Sequence, residues 1–89
     1  MDVTSTHTKN PLADWDISAS AKAGDDEKIA RARILINGSV EYDKEFDPAV
    51  SSWQKHLVQK GQYPGDNTVQ VIVTSDQGDD TGSDDEWSD

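Results

Sequence analysis

Eighty-nine residues without cysteine, at a formal net charge of −10, can hold one small domain but no disulfide scaffold, thiolate metal site or cysteine nucleophile. Of the eight basic residues only two are arginine, and they are scattered rather than clustered, which speaks against direct binding of nucleic acid. The charge is uneven: residues 1–60 carry ten acids against eight bases, whereas residues 61–89 carry eight acids and no base, so a basic protein surface is the natural counterpart.

In chain order, residues 1–13 mix Thr, Ser, Asn and Pro without an apolar period and are expected to form a flexible N-terminal arm. No basic segment followed by an apolar core opens the chain, and no stretch reaches the length of a membrane span. A cytoplasmic location without membrane contact is the expectation. From Trp15 to Ala23 apolar and polar residues alternate, which predicts a half-buried strand. Gly24-Asp25-Asp26-Glu27 predicts a turn, and Lys28 to Ile36 a second strand with Ala32, Ile34 and Ile36 on one face and Arg31 and Arg33 on the other.

Asn37-Gly38 then signals a hairpin to a third strand, Ser39 to Phe46. A two-residue loop would set Ile34 against Glu41 and mix apolar with charged residues on one face. A three-residue loop with Gly38 at a bulge instead pairs Ile34 with Val40 and Ala32 with Tyr42, leaving Arg33 opposite Glu41 and Arg31 opposite Asp43.

Asp47-Pro48 has the chemistry of a helix start, and Val50, Trp53 and Leu57 recur at helical spacing up to Gly61, which predicts a helix over 48–60. Tyr63-Pro64-Gly65-Asp66 predicts a type II turn, and Asn67 to Ser75 a last strand, parallel to the first and third because the helix crosses before it. The expected fold is therefore α+β: a four-stranded, mainly antiparallel sheet in β-β-β-α-β order with one helix on one face, spanning 14–75. Residues 76–89 are expected to be a disordered acidic tail.

Chemistry is sparse. No nucleophile motif is present, and His7 and His56 fall in the arm and on the expected helix, so no catalytic residue is expected and the chain does not read as an enzyme. The acids around Gly78 and Gly82 lack the ligand spacing of a calcium loop, and no glycine-rich phosphate cradle exists, so no metal or cofactor is expected. What remains is surface. Glu41, Asp43 and Glu45 on the open sheet face, with Asp79, Asp80, Asp84, Asp85, Glu86 and Trp87 in the tail, are the candidate partner-binding residues, Trp87 serving as an aromatic anchor. The expected function is a non-catalytic inhibitor or decoy binding a basic, nucleic-acid-binding protein, including a nucleic-acid mimic of anti-restriction or anti-CRISPR type. The alternative is a small docking or assembly module, or an immunity or antitoxin-like protein, using a sheet edge and the tail. The oligomeric state is left open.

Overall fold

Strand alternation organises the chain from end to end. The computed structural model describes residues 1–60 and 65–88, and within them seven strands form: β1 (Asp2–Lys9), β2 (Trp15–Lys22), β3 (Ile29–Ile36), β4 (Ser39–Val50), β5 (Ser52–Gln59), β6 (Asp66–Ser75) and β7 (Asp80–Ser88). They build two antiparallel sheets, ordered β1-β2-β5 and β4-β3-β6-β7. The chain changes sheet at Ser51, between β4 and β5. The layout is a sandwich of two antiparallel sheets, an architecture that hosts many unrelated functions.

Each inner face follows from period two. Trp15, Ile17, Ala19 and Ala21 of β2 and Trp53 of β5 pack on Ile29, Ala32, Ile34 and Ile36 of β3 and Val69, Val71 and Val73 of β6. Two polar residues are buried among the described residues, Asn67 and Ser75, and both are paired. Ser75 Oγ accepts from the amides of Gln77 and Asp79 at 3.2 Å, closing the turn between β6 and β7. The Asn67 side chain accepts from Asn37 Nδ2 at 3.0 Å and donates to the Gly65 carbonyl at 3.3 Å.

The expected α+β fold is overturned, because no helix occurs among the described residues. The segment read as a helix over 48–60 is the end of β4, the switch at Ser51 and all of β5. Trp53 and Leu57 are four apart, a spacing that satisfies a helical face and a strand face alike. The residue between them on the strand's inner side is Lys55, and its charge broke the apolar alternation. Its side chain is exposed, and its ammonium stands 5.3 Å from the centroid of the Tyr42 ring. The parallel last strand falls with the helix: β6 lies antiparallel to β3 on one side and to β7 on the other. Tyr63 and Pro64 of the expected turn, and the helix stop at Gly61, lie outside the described residues.

The hairpin is resolved differently as well. Ile36 pairs with Ser39, so Asn37 and Gly38 form a two-residue turn with φ of 51° and 84°, the left-handed pair that such turns require. Parity is restored one step later. A register shift between Ile34 and Leu35 leaves Glu41 as an extra residue, so that Leu35 faces Val40 but Ile34 faces Tyr42. Arg33 then lies opposite Asp43 and Arg31 opposite Glu45.

Finally, the segments expected to be an arm and a tail are the edge strands β1 and β7. Their inward positions are polar or mixed, Val3, Ser5 and His7 on one and Thr81, Ser83, Asp85 and Trp87 on the other. An apolar-only search therefore passes over them. The alternating Thr4, Thr6 and Thr8 are the signal that marks β1 as a strand.

Candidate docking face

β7 is paired with β6 on one side only, so its backbone forms the rim of the four-stranded sheet. Period two splits the acidic candidates of this strand. Asp80, Asp84 and Glu86 are exposed on the outer face, while Asp85 and Trp87 are half-buried on the inner one. Asp79 sits in the turn before β7, where its carbonyl accepts from the Ser75 amide at 2.8 Å.

Trp87 thus does not stand out as an exposed anchor. Its ring stacks on His7 with centroids 4.4 Å apart and tilts against Trp15 at 5.0 Å. Beside it His7 Nδ1 meets Asp85 Oδ2 at 2.5 Å, and the Ser5 and Ser83 hydroxyls meet at 3.1 Å. These contacts close the seam between the two sheets. Ser5 is engaged with Ser83 rather than with His7, so the contacts form no relay from a nucleophile through histidine to carboxylate. The indole Nε1 atoms of Trp15 and Trp87 are buried without a hydrogen-bond partner.

The outer face of the four-stranded sheet brings the other candidates together. Arg31 donates to Asp43 through Nε at 2.8 Å and Nη2 at 2.6 Å, a two-pronged pair that holds the Asp43 carboxyl below its ordinary range and raises the guanidinium. Arg33 crosses β6, its Nη2 3.5 Å from both Thr74 Oγ1 and Asp80 Oδ2, while Thr74 donates to Asp80 at 2.5 Å. Asp43 and Asp80 are therefore answered by arginine. Glu45 lies opposite Arg31, whose charge it favours. Glu41, Asp84 and Glu86 make no ion pair with any described residue.

Sequence reasoning assigned no role to the apolar residues of this face. Leu35 lies opposite Val40, which is 58 % exposed, and Ile72 lies opposite Gly82. Their signal was apolar character at positions whose strand parity points outward, already visible at Ile72.

The other sheet presents a different surface. Thr4, Thr6, Ser18, Ser20, Gln54 and His56 surround a shallow hollow of about 520 Å³ rich in hydroxyls. His56 Nε2 lies 3.8 Å from Asp16 Oδ1 at its border. Among the described residues no three His, Cys, Asp or Glu side chains converge as a metal site, and no helix is long and apolar enough to cross a membrane. Comparison with protein-family models, with curated proteins and with solved structures finds no match for this chain.

Proposed function

We propose that this protein is a non-catalytic interaction module, an inhibitor or decoy, that presents the acidic outer face of its four-stranded sheet to a basic protein surface in the cytoplasm. The observation that carries the reading is the placement of Asp84 and Glu86. They alternate on the outside of one edge strand, about 7 Å apart by strand geometry, and neither makes an ion pair with a described residue. Across the face, Glu41 adds a further unpaired carboxylate at the β4 rim. Acids held on strands lose little freedom on binding, and their field speeds encounter with a cationic partner. Arg31 and Arg33 stand in the middle of the same face, which favours a protein partner with mixed polarity over plain imitation of a nucleic-acid backbone.

The test is capture of a binding protein from the native lysate by immobilised full-length chain, at low and at high salt. The triple variant E41Q/D84N/E86Q is expected to lose capture, and high salt to weaken it. A control removing three exposed acids elsewhere, D2N/D25N/D26N, should retain it. Capture indifferent to salt and to the triple variant contradicts the acidic-face reading. It would instead favour docking through a strand edge, for which β1 and β7 offer straight rims paired without register shifts.

A further inference from the structure

We infer that the outer face of the four-stranded sheet receives an amphipathic helix with a narrow apolar stripe flanked by lysine or arginine. This rests on the basic-partner reading above and names the form the partner takes. Three observations converge.

The first is an apolar centre. Strand registry places Leu35 opposite Val40 and, one row on, Ile72 opposite Gly82, with Leu35 and Ile72 on adjacent strands. Leu35 and Ile72 are partly covered, whereas Val40 is 58 % exposed. A side chain at Gly82 would meet only the Val71 carbonyl, at 3.6 Å, so the glycine leaves a gap in the β7 rim beside Ile72. An apolar centre within a charged border is how protein interfaces are built, with the centre setting affinity and the border setting partner choice.

The second is the placement of the unpaired acids on two opposite borders. Glu41 lies beside Val40 on β4, and Asp84 and Glu86 lie on β7, with β3 and β6 between. Arg33 lies opposite Ile72 and Arg31 one step further along β3, but both arginines are already engaged, by Asp80 and Asp43 respectively. The partner's positive charge must therefore fall on both sides of its apolar stripe.

The third is width. Three inter-strand spacings separate the two borders, about 14 Å. An α-helix with its side chains is about 10–12 Å across, so a helix lying along the strands fills the span and can reach both borders with long basic side chains. An extended segment on the face would cover one or two strands and meet only one border.

The experiment titrates the ¹⁵N-labelled full-length chain with three synthetic peptides of about four helical turns. One carries a leucine stripe flanked by lysines, the second has the same composition scrambled, and the third is oligolysine of equal charge. The striped peptide is expected to shift the amides of Leu35, Val40, Ile72 and Gly82 and to bind about tenfold or more tighter than the other two. In the Val40→Ser variant, altered at an exposed position, that preference should shrink severalfold with the rest of the spectrum unchanged. Equal binding of all three peptides, with shifts confined to Asp84 and Glu86, would overturn the helix-receiving face and leave the basic-partner reading standing. Binding of the striped peptide at the hydroxyl-rich hollow of the other sheet would also overturn it. If no cationic peptide binds, both readings fall.

Discussion

Trp87 draws its environment from strands far away in the chain. Nothing near it in sequence can bury an indole, yet β7 turns it inward against His7 of β1 and Trp15 of β2. No local pattern records that meeting, because it depends on two edge strands from opposite sheets. Trp87→Ala is expected to destabilise the fold by about 3 kcal/mol, the low end for a large aromatic because the ring is only half-buried. Urea unfolding measures it, and a loss below about 0.5 kcal/mol would show the ring solvated. Asp43 makes the opposite case, since its neighbour was legible. The sequence reading paired Arg31 with Asp43, and the two do meet, although as diagonal rather than opposite residues. Hydrogen bonding from Arg31 lowers the Asp43 pKa, so the pair stabilises the fold above the carboxylate range and that contribution disappears as pH falls through the folded titration. Because both groups face solvent the effect is small. Stability followed against decreasing pH should have a shallower acid limb in Asp43→Asn; identical acid limbs would contradict the pair.

At the scale of elements, the strands with clean apolar alternation were legible and those with polar inner faces were not. β2, β3 and β6 carry most of the core, and each was read as a strand from its alternation alone. β5 was mistaken for a helix because the charged Lys55 interrupts its apolar alternation and Trp53 and Leu57 fit both periods. The β3–β4 hairpin shows a subtler limit. The sequence reading rightly demanded matching parity but met it with a longer loop, whereas the chain keeps its two-residue turn and inserts Glu41 as a bulge. Asn37 sustains the turn, since its Oδ1 accepts from the Thr68 amide at 2.8 Å and ties the loop to β6. Gly38 at φ 84° is the residue with no substitute. A Cβ there would meet nothing within 4 Å, so the loss in Gly38→Ala is one of backbone conformation alone, about 1–2 kcal/mol. A thermal melt compares the two proteins, and an unchanged midpoint would place the turn in another conformation.

For the whole molecule, the acidic C-terminal stretch belongs to the fold. β7 covers the outer flank of β6, and its Trp87 and Asp85 close the seam with β1. A chain ending at Gln77 is therefore expected to lose cooperative unfolding, seen as a broad, featureless melt by circular dichroism; a sharp transition near that of the full chain would show β7 dispensable. The same strand carries four of the chain's acids, Asp80, Asp84, Asp85 and Glu86. Its carboxylates repel one another along a free edge, which opposes strand pairing between copies, while Asp84 and Glu86 remain open to a cation from outside. The candidate acids were legible from composition, but their division into outward Asp80, Asp84 and Glu86 and inward Asp85 was not, because it required knowing that residues 80–88 are extended and paired. The central claim is that this acidic stretch is a packed strand, and nuclear Overhauser contacts of the Trp87 indole in the full-length protein test it most directly. The account predicts strong contacts from Trp87 to the rings of His7 and Trp15. Sharp, coil-like resonances for residues 80–88 with no contact to either ring would contradict it.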